Sequence, residues 1–143
     1  MSNRTRVFVY GTLKQGHGNH EYYLAGNPGV EYLGRCYVTG DFDMYTNGAF
    51  PIVTKGTDEE AKRYIVGEVF DIDEDTLMAL DALEGHPDWY CREKVQTPWK
   101  KAWMYVMPDT APGTGGERVA SGCFEMTAEE QEWINGSEIA QAV

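Results

Sequence analysis

Apolar and polar residues alternate along much of the first two thirds of the chain, the pattern of strands buried on one face. Strands are predicted at Val7 to Tyr10, Tyr32 to Val38, Phe42 to Tyr45, Tyr64 to Asp71, Tyr90 to Thr97 and Ala102 to Val106. Gly40-Asp41, Asn47-Gly48 and Lys55-Gly56 supply turns between them. The period changes at Asp73. Leu77, Leu80 and Leu83 form one stripe of a helix from Asp73 to Glu84, opened by acidic residues and closed by Gly85 with Pro87 beyond. Thr127-Ala128-Glu129-Glu130 is a capping-box pattern ahead of a short helix to about Asn135. A third helix is predicted from Asn19 to Leu24. Residues 108–117, rich in Gly, Pro and Thr, are predicted as a mobile loop, and the tail from Gly136 is expected to fray. No repeat and no regular βαβ alternation interrupts this order. The elements predict an α+β domain, a small mixed β-barrel with a few flanking helices, since closure would remove exposed strand edges.

Composition agrees. The 143 residues suit one domain spanning 1–143, and 42% hydrophobic residues can build a sizeable core. Sixteen Gly and six Pro favour strands and turns over a helical bundle. A net charge of −11 repels phosphate backbones, which argues against nucleic acid as a partner. Arg92, Lys94, Lys100 and Lys101 are too few to reverse that and are expected on the solvent face of a hairpin. Cys36, Cys91 and Cys123 are odd in number and lack CxxC spacing, which predicts reduced thiols. No stretch has membrane-spanning length and the amino terminus lacks a long apolar run. A cytoplasmic protein without membrane attachment is expected.

Two places could carry chemistry. Tyr10-Gly11-Thr12-Leu13-Lys14 follows the apolar run Val7-Phe8-Val9. A glycine turn after a strand can aim backbone N–H groups at a carboxylate or oxyanion, and Gly11 admits close approach of a ligand. An ordinary strand-to-loop transition explains the same residues. Glu84 lies seven residues after Leu77, nearly two turns on, so it projects close to the apolar stripe at a helix C-terminus. Burial and the helix dipole both raise a carboxyl pKa there, which suits a general acid/base. A frayed last turn with an exposed Glu84 is the alternative. Asp75 and Asp81 fall off the stripe and are expected in solvent. Tyr90 could reach back toward Glu84, or pack as one more core aromatic.

Other motifs fail on their chemistry. Gly11-x-x-x-x-Gly16 begins like a P-loop, but His17 and Gly18 stand where Lys and Ser or Thr are needed. His17 and His20, with His86 or a carboxylate, lack the spacing of a metal site. Cys91 has no His in a recognisable nucleophile signature and is expected as a small buried residue.

Tyr10-Gly11-Thr12-Leu13-Lys14 with Gly16, Asn19 and His20, followed by Leu80-Asp81-Ala82-Leu83-Glu84-Gly85-His86-Pro87 and Tyr90-Cys91-Arg92, resembles the gamma-glutamylcyclotransferase-like superfamily. The gamma-glutamylamine cyclotransferases and their AIG2-like relatives are the branch it looks most like. Gly48-Ala49-Phe50-Pro51-Ile52 is similar to that family's short Tyr/Phe-Pro segment. The likeness runs from about Val7 to at least Val106; after Pro108 no motif contributes. Trp89 and the aromatic Glu21-Tyr22-Tyr23 depart from the pattern and could reshape a pocket.

The resemblance implies a small barrel with one cavity and cyclisation of a gamma-glutamyl group to 5-oxoproline with release of an amine. It implies no metal and no organic cofactor. It assigns Glu84 as the acid/base, Tyr10, Gly11, Thr12 and Leu13 as the substrate cradle, and Pro51 and Tyr90 as further substrate-binding residues. The expected partner is a small gamma-glutamyl compound. Two other functions stay open: a non-catalytic module binding a small carboxylate or amide on the same fold, and an amide hydrolase that consumes water.

Overall fold

The computed structural model describes residues 4–11, 13–15, 18–40, 42–46, 51–55, 63–86, 90–106, 117–118, 123–124 and 126–136. Val7, Phe8 and Val9 are all fully buried, because their strand β1 (Thr5–Val9) runs through the middle of a sheet covered on both faces. Alternation sends Phe8 to one face and Val7 and Val9 to the other, into two separate apolar clusters. The chain continues through α1 (Gly18–Tyr23), β2 (Val30–Gly40), β3 (Phe42–Thr46), β4 (Pro51–Lys55), β5 (Arg63–Ile72) and α2 (Glu74–Glu84). Then follow β6 (Cys91–Thr97), β7 (Lys100–Val106), β8 (Glu117–Arg118) and α3 (Ala128–Asn135).

Five strands form a mixed sheet in the order β2-β5-β1-β7-β6, and three form a second sheet, β4-β3-β8. Among the described residues only β1 and β7 run parallel; the other pairings in the five-stranded sheet are antiparallel. The first core lies between the sheets, with Phe8, Val38, Ile65 and Met104 facing Phe42, Met44 and Val53. The second lies under α2, where Leu80 meets Val7, Val9, Phe70 and Ile72. A third, smaller cluster packs Trp133 and Ile134 of α3 against Val66 and Cys123.

The α+β class is as predicted, but among the described residues the ladder does not close into one barrel. The edges β2 and β6 approach each other without pairing. A register shift between Tyr32 and Gly34 bends β2, and Trp99, from the β6–β7 turn, covers Gly34. Gly34 has φ +155°, and a Cβ there would run into the Trp99 ring. A side chain thus covers the gap that hydrogen bonds would close in a barrel.

Two strands went unpredicted. In β4, Pro51 pairs with Thr46 at the strand's first position, where a missing N–H is tolerated. In β8, two residues pair with Tyr45 and Thr46, so Glu117 of the predicted loop belongs to a sheet; 108–116 lie outside the described residues. Gly136 donates its N–H to the Glu132 carbonyl and ends α3 in an ordered way, while the tail beyond it is outside the described residues. None of the three cysteines is in a disulfide. Among the described residues no helix is long and apolar enough to cross a membrane.

Candidate active site

The glycine turn is pinned from several directions. Tyr10 ends the β1 segment, buried, and its hydroxyl donates to the Tyr105 carbonyl at 2.6 Å. The Gly11 carbonyl accepts from the Lys14 N–H at 3.0 Å, closing a β-turn. Leu13 sinks its side chain into the core under α2, and its carbonyl lies 3.1 Å from Nδ1 of buried His20. The Gln15 N–H donates to Oε1 of buried Glu68 at 2.8 Å. Lys14 is fully buried. Its Nζ donates to the Phe124 carbonyl and to Glu130 Oε2, each at 2.7 Å, with Cys123 Sγ at 3.7 Å. Burial opposes charge on Glu130, yet the Lys14 ammonium and the Thr127 N–H hold its carboxyl below the usual range. Burial pushes Glu68 up instead. Thr12, Gly16 and His17 lie outside the described residues.

Glu84 sits on the last turn of α2. Asp73 caps the helix start by accepting from the Thr76 N–H. Gly85 ends it in the left-handed conformation, φ 68°, with its N–H on the Ala82 carbonyl and the His86 N–H on the Asp81 carbonyl. That cap turns the chain back, so the Tyr90 N–H reaches the Glu84 carbonyl at 3.2 Å. Glu84 is half-buried, not frayed into solvent, and burial pushes its carboxyl up from 4.5 to about 7. Tyr10 is raised by burial, then by the charges of Tyr90 and Glu84. Tyr90 is raised by burial and then by Glu84. The charges of Glu84 and Tyr90 thus act on residues that come from separate segments of the chain.

Asp81 is a correction. It is not loose in solvent: Tyr105 Oη donates to its Oδ1 at 2.6 Å, and Arg92 Nε lies 2.9 Å from the same oxygen. The helix faces β7 and β6 at that point, and a buried phenol requires an acceptor. Arg92 and Lys94 are likewise more than solvent decoration. Both stack over the Trp103 ring, 4.9 and 5.1 Å from its centre. Asp75 and Lys100 are exposed as predicted.

Pro51 opens β4, but its side chain is outside the described residues. Cys91 is half-buried at the start of β6. No group of three His, Cys, Asp or Glu that could hold a metal ion occurs among the described residues. Sequence reasoning passed over Tyr105, Lys14 and Glu130 as parts of the site's frame. A tyrosine within the mostly apolar run Ala102 to Val106, and the lysine that ends Tyr10-Gly11-Thr12-Leu13-Lys14, were the available signals.

A glycine turn at the end of a central strand and a half-buried glutamate at a helix end stand in a two-sheet α+β fold whose sequence matches the gamma-glutamylcyclotransferase class. The chain belongs to the family described as gamma-glutamyl cyclotransferase, AIG2-like, which matches residues 7–126. A relative from Methanocaldococcus jannaschii is 38% identical over 109 residues, covering 73% of this chain and 85% of that one. The gamma-glutamylcyclotransferase family protein YtfP of Escherichia coli K12 is 35% identical over 101 residues, covering 71% of this chain and 80% of its own. The crystal structure of an AIG2-like protein from Mus musculus superposes with a TM-score of 0.68 at 25% identity, covering 86% of this chain and 89% of that one. The family match extends past Val106 into the segment that carries Cys123 and Phe124.

Proposed function

We propose that this protein is a cytoplasmic cyclotransferase converting a gamma-glutamylamine, or a related gamma-glutamyl amide, to 5-oxoproline and a free amine. The observation that carries the proposal is Glu84, a half-buried carboxyl pushed up to about 7 in the electrostatic neighbourhood of Tyr10 and Tyr90. A carboxyl near neutrality can both accept and return protons.

The substrate supplies its own nucleophile. Glu84 takes a proton from the α-ammonium, and the freed amine attacks the gamma-carbonyl carbon. The carbonyl oxygen gains charge, which the N–H groups of the Gly11 turn would meet. Glu84 returns the proton to the departing nitrogen, the old C–N bond breaks, and the ring amide remains. Two protons in all leave the α-nitrogen and two reach the leaving nitrogen, so an ammonium enters, an ammonium leaves and no water is consumed. Holding both ends of one molecule in a ring-forming shape supplies much of the remaining acceleration. Tyr10, Gly11, Thr12 and Leu13 would cradle the glutamyl end, with Pro51 and Tyr90 as further substrate-binding residues.

Incubation with a panel of gamma-glutamyl amides and mass spectrometry for 5-oxoproline tests the proposal. Release of 5-oxoproline supports it. Glutamate as the product would indicate a hydrolase. Tight binding without turnover would indicate a binding module.

A further inference from the structure

Tyr105 joins two parts of the site that are distant in sequence. Its carbonyl accepts from the Tyr10 hydroxyl at the glycine turn, and its own hydroxyl donates to Asp81 on α2. Asp81 lies one turn before Glu84, and its carbonyl also closes the helix cap through the His86 N–H. Arg92, directly opposite Tyr105 across the β6–β7 ladder, places Nε beside the same carboxylate. Its backbone N–H faces His86 Nδ1 at 3.4 Å. The last turn of α2 is thus tied by its Asp81 side chain to two strands and, through Tyr105, to the turn after β1. Helix stability alone does not call for this, because Gly85 already caps the helix.

We propose that Asp81, Tyr105 and Arg92 are positioning residues that lock the helix end bearing Glu84 against β7 and hold its carboxyl shielded beside the Gly11 turn. The proposal deepens the reading of Glu84 as the proton shuttle and rests on it. Among the described residues, the ionisable groups of the surrounding elements on which the Glu84 charge acts are Tyr10, Tyr90 and Tyr105. Asp81 and His86 stand on its own helix end. Unlocking the helix would let water reach Glu84 and return it toward an ordinary carboxyl.

Tyr105→Phe keeps the ring and the carbonyl that serves Tyr10 and removes only the bond to Asp81. Asp81→Ala cuts the same link from the helix side, and Asp81→Asn keeps an acceptor for the Tyr105 hydroxyl. NMR titration of carboxyl-labelled glutamate reads Glu84 directly, without turnover. We expect its acid dissociation constant to rise about tenfold or more in Tyr105→Phe and Asp81→Ala, with kcat down about tenfold and KM within about twofold. Asp81→Asn should titrate close to wild type. A Glu84 that titrates unchanged in both Tyr105→Phe and Asp81→Ala, whatever their melting temperatures, would overturn the proposal and leave plain structural support. If the titration moves as expected but wild type releases no 5-oxoproline, the positioning role stands and the cyclotransferase reading fails.

Discussion

Glu84 combines two placements that disfavour negative charge, partial burial and a helix C-terminus. Glu84→Gln keeps the shape but cannot carry a proton, so turnover should fall by roughly 10²–10⁴-fold while substrate still binds. Stability should respond in the opposite sense, with a defined pH dependence. The folded carboxyl, pushed up to about 7, binds its proton more tightly than the unfolded one near 4.5. Below the unfolded value both states are protonated and the variant gains little. As pH climbs through 7, wild type must carry a shielded charge, and the stability it had at low pH is lost. Thermal melts across that window should show the advantage of Glu84→Gln growing with pH and levelling above 7. A flat difference would mean that the carboxyl is well hydrated. Tyr90→Phe tests a smaller effect. The Glu84 charge acts on the Tyr90 phenol, and losing one supporting hydrogen bond to Glu84 or to substrate should cost about tenfold in kcat/KM, near 1.4 kcal/mol. Steady-state kinetics with full activity would reduce Tyr90 to packing.

At the scale of elements, β1 and α3 are coupled through the turn between β1 and α1. Lys14 leaves that turn and buries its ammonium against Glu130, the residue that also completes the α3 capping box with Thr127. A buried ion pair is weak support for stability as such, but breaking one partner is expensive because the other charge is stranded. Lys14→Met should therefore cost about 3–5 kcal/mol in urea unfolding. Glu130→Gln leaves the ammonium with the Phe124 carbonyl and keeps a capping side chain, so it should cost less. The double variant Lys14→Met with Glu130→Gln strands no charge and should recover much of the Lys14→Met loss. Simple additivity of the two single effects would show that the pair is not coupled. The same logic explains why the end of the chain matters to a site built near its start: α3 and Phe124 hold the lysine that ends the glycine turn.

For the whole molecule, the elements legible in the sequence were those whose pattern is local. The Leu77, Leu80 and Leu83 stripe ending in Gly85 marks α2, and the family motif marks Glu84 and the glycine turn. The open gap between β2 and β6 was not legible, because it depends on one ring, Trp99, meeting a glycine far away in sequence. Asp81 was misplaced for the same reason: its partners Tyr105 and Arg92 come from strands that no periodicity places beside α2. Net charge, by contrast, is a property of the whole chain that sequence does give. At −11 the chain as a whole carries a negative field, which attracts cations and repels anions. A gamma-glutamylamine whose leaving group carries a second ammonium should thus be favoured at low salt over one carrying a second carboxylate. Screening should erase the difference, since the Debye length falls from about 30 Å at 0.01 M salt to about 8 Å at 0.15 M. We predict that kcat/KM falls with added salt for the cationic substrate and rises for the anionic one. Parallel measurements at those two ionic strengths decide it. Equal salt slopes for both substrates would show that specificity for the leaving amine is set by contacts within the site, with the charge of the surface playing no part.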